Sequence, residues 1–137
     1  MAAATASYIT PALLSQATVY EFLRRGNLEP NLERINGLLR ARRDAMVSAL
    51  ERHLPEATWT VPEGGYFVWV ELPPGILASD LRAEGVTFVP GSDFFCGPGG
   101  ENAIRLAFSY ESPSAIEEGV RRLASAVRAA IVLSRAA

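Results

Sequence analysis

The 137-residue chain has no lysine, and all thirteen of its basic residues are arginine. It therefore has no side-chain amine with which to form an imine, and chemistry that needs one cannot run on these residues alone. Cysteine and histidine are nearly absent too. A lone Cys96 excludes an internal disulfide and any multi-cysteine metal site, which favours a reducing compartment. His53 has no second histidine, and no cysteine near it, so no metal-ligand spacing exists and a surface position is expected. No apolar stretch reaches membrane-spanning length, and Met1 to Thr10, which lacks a basic flank and a long hydrophobic core, does not read as a signal peptide. A formal net charge of -2 gives no general pull toward nucleic acid or an anionic membrane. The expectation is a soluble, cytoplasmic protein. Arginine in place of every lysine, beside abundant alanine, also fits the coding bias of a GC-rich genome.

What is present is enough for a core. The length suits a single domain over 1–137, and 49% hydrophobic with 20% charged residues excludes wholesale disorder. Residues 1–54 read as an N-terminal helical segment. Leu13, Leu14, Ala17, Tyr20, Phe22 and Leu23 keep a helical spacing that stops at Gly26-Asn27, where a left-handed cap is easily made. A second helix should begin near Pro30, place Leu32, Ile35, Leu39, Met46, Leu50 and Leu54 on one face, and stop at Pro55. Arg34, Arg40, Arg42, Arg43 and Glu51 then form a solvated face.

Residues 55–137 change to short β-rich runs followed by a helix. Thr58 to Val61, Tyr66 to Leu72, Val86 to Val89 and Ala103 to Phe108 are the expected strands, separated by strong Pro and Gly turn signals. Ser79 to Glu84 is a short helix at most. Ser112 can cap a last helix, with Pro113 in its first turn and Ile116, Val120, Leu123, Val127 and Ile131 on one face. Together these elements predict an α+β fold in which a small, mainly antiparallel sheet packs against helices.

Arg105 stands out. It lies inside Ala103-Ile104-Arg105-Leu106-Ala107-Phe108-Ser109, and a cation in an apolar run is costly unless a carboxylate or several acceptors meet it. Its planar fork suits bidentate capture of a carboxylate ligand, but an internal ion pair with Glu71, Asp93 or Glu101 explains it equally well. Other candidates have plainer explanations. Gly97 to Gly100 runs into a strand rather than a helix, so it reads as a hairpin loop and not a phosphate cradle. Cys96 has no catalytic partner and reads as a packed thiol, and nothing in the spacing forces Glu63 and Glu71 together. Of Tyr66, Phe67 and Trp69, two share a strand face, and most of that apolar area is expected in the core.

Pro62-Glu63-Gly64-Gly65-Tyr66-Phe67-Val68-Trp69-Val70-Glu71-Leu72, then Gly85-Val86-Thr87-Phe88-Val89-Pro90-Gly91, then Ile104-Arg105-Leu106-Ala107-Phe108-Ser109 resemble, in that order, the C-terminal small domain of class I/II aminotransferases. Ile116-Glu117-Glu118-Gly119-Val120-Arg121-Arg122-Leu123 completes the pattern. The likeness is greatest to the aminoadipate and kynurenine aminotransferase-like branch of these fold type I pyridoxal-phosphate enzymes. The resemblance implies that Arg105 binds the substrate α-carboxylate, that Phe67 lies at an aromatic position near the cofactor, and that Pro90-Gly91 faces the active-site mouth. It likens Leu13 to Leu23 to the helical region linking the large and small domains.

The family's imine lysine, its phosphate-binding arginine, its pyridine-nitrogen aspartate and its ring-stacking aromatic lie upstream of the stretch matched here. By the resemblance, then, the pyridoxal-phosphate-binding large domain is absent, no residue here is catalytic, and the cofactor is not expected to bind this chain alone. The implied partners are an amino-acid or 2-oxo-acid substrate, the missing large domain and a homodimer mate, with no nucleic acid and no membrane. Between Pro74 and Gly85 the chain lacks several residues of the family's helix. The leading expectation is a truncated or split piece of an aminotransferase, inactive by itself. The alternatives are an aminotransferase-like effector-binding or interaction domain of a transcription regulator and a stand-alone amino-acid-binding domain.

Overall fold

The structure is a computed structural model and describes residues 12–83 and 85–136. The Met1 to Thr10 reading lies outside these residues, as does Glu84. Two compact units divide the chain, Met1–Leu38 and Leu39–Ala137. In the first, helix α1 (Leu13–Arg24) ends at Gly26, whose φ of 69° is open to glycine without strain. The Gly26 N–H donates to the Leu23 carbonyl at 2.9 Å and the Asn27 N–H to that of Phe22 at 3.2 Å, which is the expected left-handed cap. Helix α2 (Leu28–His53) starts two residues earlier than Pro30, which falls in the first turn, where a missing N–H costs little. No residue of α1 is buried, and Leu32, expected on the apolar face of α2, is exposed.

In the second unit the rest of α2 behaves as expected. Met46, Leu50 and Leu54 are buried, and Leu54, beside Pro55, follows the helix end. On the face expected to be solvated, Arg34, Arg40 and Glu51 are exposed, but Arg42 and Arg43 are not. Arg42 is half-buried and donates to the Ser109 carbonyl at 2.6 Å, while Arg43 reaches the Pro62 carbonyl at 3.3 Å and Asp44 at 2.7 Å. Long guanidinium side chains can cross the helix surface to capture loop carbonyls that have no ladder partner.

Strands β1 (Thr58–Trp59), β2 (Phe67–Glu71), β3 (Val89–Pro90) and β4 (Ala103–Ala107) form one antiparallel sheet in the order β1-β2-β4-β3. The expected strand at Val86 to Val89 is displaced. The Val86 N–H still closes a turn onto the Ala83 carbonyl at 3.1 Å, so pairing starts only at Val89, and Pro90 has no N–H with which to continue the ladder. The short helix expected near Ser79 is one 3-10 turn, Ala78–Asp80.

Helix α3 (Pro113–Ala136) is capped as expected, with the Ala115 N–H donating to Ser112 Oγ at 3.2 Å. Its Ile116, Val120, Leu123 and Val127 are buried with Leu50, Leu54, Val68, Val70, Ile104 and Leu106 in one core. The sheet is thus helix-covered on the face carrying Val68, Val70, Ile104 and Leu106. Because side chains alternate along a strand, Phe67 and Trp69 lie on the other face. The expectation that the aromatic area of β2 is core is overturned: Phe67 is 40% and Tyr66 52% exposed. The branched valines fit beneath the helices, and the aromatic rings are left on the opposite surface.

Candidate functional site

That second sheet face carries Arg105. In the β2–β4 register Trp69 stands opposite Arg105, and in the β3–β4 register Val89 does, so Arg105 projects with Phe67 and Trp69 away from the core. It is half-buried, and its Nε is closed off from solvent with no hydrogen-bond partner. Among the described residues it joins no ion pair. The acids weighed against a ligand are engaged elsewhere or unpaired with it. Glu71 accepts from Thr58 Oγ1 at 3.3 Å, and Glu101 accepts from the Gly99 N–H at 3.0 Å. Backbone hydrogen bonds from the Glu101 and Gly99 amides hold the Glu101 carboxyl below its ordinary value.

Aromatic faces surround the cation instead of carboxylates. The Arg105 guanidinium carbon lies 3.9 Å from the Phe67 ring centroid and 4.5 Å from that of Phe94. Phe94 also meets Trp69 edge to face, with centroids 5.7 Å apart and planes at 78°. Phe94 is delivered by a 3-10 turn, Gly91–Phe94, that begins where Pro90 ends β3. Gly91 is buried there, and a Cβ on it would sit 2.5 Å from the Gly100 carbonyl oxygen and 2.8 Å from the Ala103 Cβ. Only glycine lets the turn lie this close to the start of β4. Phe95 in turn covers Gly99 and Gly100, so the 97–100 stretch is part of the connection between β3 and β4, as expected, and its Gly99 amide is already taken by Glu101.

Of the residues singled out in the sequence, the fold brings Arg105 and Phe67 together and puts the Pro90-Gly91 turn at the base of the Phe94 loop. It does not bring in Glu63, Glu71 or His53. The His53 Nε2 lies 3.4 Å from Glu117, which also pairs with Arg52 at 2.5 Å, a link between α2 and α3. Cys96 is exposed rather than packed, because its loop runs over the surface. Sequence reasoning missed Phe94 and the direction of Trp69. The i, i+2 spacing of Phe67 and Trp69 signalled that these two share a face; nothing signalled Phe94. A cavity of about 540 Å³ opens elsewhere, lined in part by Met46, Val86, Leu106, Ile116 and Leu123. Gly85, Val86 and Thr87 line one side of it, and its Glu118 and Arg122 pair with each other at 2.7 Å. Among the described residues no cluster could hold a metal ion, and no helix is long and apolar enough to cross a membrane.

No protein-family model matches the chain. It is similar to 2-aminoadipate transaminase of Thermus thermophilus, 44% identical over 126 residues, covering 88% of this chain and 32% of that protein. The crystal structure of alpha-aminoadipate aminotransferase from Thermus thermophilus, complexed with N-(5'-phosphopyridoxyl)-L-leucine, superposes with a TM-score of 0.85 at 40% identity, over 96% of this chain and 35% of that one. Pyrococcus horikoshii kynurenine aminotransferase gives a TM-score of 0.84 at 36% identity, over 93% and 33%. An uncharacterized HTH-type transcriptional regulator of Bacillus subtilis is 35% identical over 115 residues, 80% of this chain and 23% of that protein. The chain spans about a third of the length of the aminotransferases it matches. By these likenesses the chain belongs to the class I/II aminotransferases of fold type I, and corresponds to their C-terminal small domain.

Proposed function

We propose that this chain is the substrate-carboxylate side of a pyridoxal-phosphate-dependent aminotransferase, with Arg105 as the clamp for the α-carboxylate of an amino acid or 2-oxo acid. One observation carries the reading: a guanidinium on the sheet face opposite the helix-packed core, with an enclosed Nε–H and no acceptor among the described residues. A carboxylate with two oxygens in one plane supplies the acceptors that the fold withholds. Phe67 forms an apolar wall beside it. Pyridoxal phosphate supplies the electron sink for amino-group transfer in this family. The residues here do not fit that cofactor by themselves, because there is no lysine amine to hold it. The amine has to come from outside these 137 residues, and the chain's own work is to bind and orient the carboxylate. The missing amine implies a lysine-bearing large domain as partner, and the family resemblance implies a homodimer mate.

The test uses the chain with side-chain-labelled arginine, following the Arg105 Nε–H signal by NMR during titration with sodium propionate at constant ionic strength. A single bidentate pair should saturate in the range of about 10 mM or weaker. Propionamide should leave the signal in place, and Arg105→Gln should abolish the saturation transfer from protein to the propionate methyl protons that the parent chain shows. Equal shifts with the amide, or no shift with propionate, refute the clamp.

The likeness to a helix-turn-helix regulator favours a second reading, in which the same clamp senses an amino acid for an adjoining DNA-binding segment. The coding sequence upstream decides between them: a lysine-bearing large domain that leads directly into the matched stretch supports the enzyme, whereas an additional basic helix-turn-helix segment preceding that domain supports the regulator.

A further inference from the structure

We infer that Phe94, together with Phe67, is a positioning residue that aims the Arg105 fork, an inference resting on the clamp reading above. An arginine that binds a carboxylate is ordinarily oriented by acceptors behind it. Arg105 has none among the described residues: its Nε–H is enclosed and unpaired, and no acid reaches it. The contacts available to fix the guanidinium are the ring faces of Phe67 at 3.9 Å and Phe94 at 4.5 Å. Ring faces attract the cation through their quadrupole but accept no strong hydrogen bond. They stabilise the charge without occupying the donors that a ligand needs. An aspartate in the same place would hold Arg105 as firmly and neutralise it toward an incoming carboxylate.

Phe94 is itself held for the task. The 3-10 turn that carries it lies against β4 through Gly91, where a side chain has no room, and its ring abuts Trp69 edge to face at 5.7 Å. Trp69 stands directly opposite Arg105 in the sheet register, so the ring contact links turn, strand β2 and clamp in one set of touching side chains. Phe94 is nonetheless 46% exposed, so its bulk is not spent on the core.

The experiment compares the parent chain with Phe94→Leu, Phe94→Tyr and Phe67→Leu, using sodium propionate as the probe and the Arg105 Nε–H signal as the readout, with guanidinium rotation about the Nε–Cζ bond measured on the same samples. Phe94→Leu should speed that rotation and weaken propionate binding by about three- to five-fold, the scale of one partly exposed cation–ring contact, with little change in Tm. Phe94→Tyr keeps the face and should restore both to within about two-fold of the parent. If Phe94→Leu lowers Tm steeply, the comparison is read from Phe67→Leu, which removes the closer ring from a different element. Parent-like rotation and affinity in the leucine variants overturn the inference, as does failure of the tyrosine to rescue. Arg105→Gln, followed by saturation transfer to the methyl protons of propionate because it lacks the arginine signal, separates the two levels: if it binds propionate as the parent does, the clamp itself falls, and if it alone loses binding, only the positioning role of the rings falls.

Discussion

Replacing Arg105 by alanine should leave the stability of the fold nearly unchanged, and the magnitudes follow from what the side chain touches. Two effects oppose each other. The substitution removes an enclosed Nε–H that has no acceptor, a defect that costs the folded state about 1–3 kcal/mol. It also removes contacts with the Phe67 and Phe94 rings, each worth about 0.5–1 kcal/mol at a partly open site, and some packing of the arginine stem. The difference should lie within about 1 kcal/mol of zero in urea unfolding followed by far-ultraviolet circular dichroism. A buried ion pair behaves otherwise. Had Glu71, Asp93 or Glu101 been its partner, alanine would strand a carboxylate at a cost of about 3–5 kcal/mol. A loss of that size refutes the reasoning, because it requires an acid at Arg105 that the geometry does not show.

Gly91→Ala should cost about 1–3 kcal/mol, since its Cβ would meet the Gly100 oxygen at 2.5 Å and the Ala103 Cβ at 2.8 Å, and a parent-like urea midpoint would contradict the close packing of the Phe94 turn. The Glu118 carboxyl, bonded by Arg121 at 2.7 and 2.8 Å and by Arg122 at 2.7 Å, is held down to about 2, so it should stay ionised well below the ordinary carboxylate range in a carbon-13 NMR titration. Its pKa is lowered on folding, so its contribution is complete above the ordinary value of 4.5 and is lost as pH falls from there through about 2. A midpoint near 4.5 in low salt shows that these pairs do not persist.

The helices were legible because their cues are local: Gly26 ends α1, Ser112 starts α3, and the apolar stripe of α3 repeats at the helical period. Strand positions were legible to within a few residues for the same reason, except where Gly85 and a turn at Ala83 delayed the start of β3. The faces of the sheet were harder. In β2 both alternating sets are apolar, Phe67 and Trp69 on one side and Val68 and Val70 on the other, and periodicity alone does not say which goes under the helices. Register resolves it. Trp69 pairs with Arg105, a cation cannot join the helix-covered core without a partner, and the side chains in phase with it therefore lie on the other face, where Ala103 is covered by the Gly91 turn. Arg105 thus bears on the fold as well as on its proposed role as clamp: its charge decides which face of the sheet is left outside the helix-packed core. Phe94 lay beyond this logic, since its place depends on a turn whose closeness to β4 is set by the missing Cβ of Gly91, a contact between residues distant along the chain.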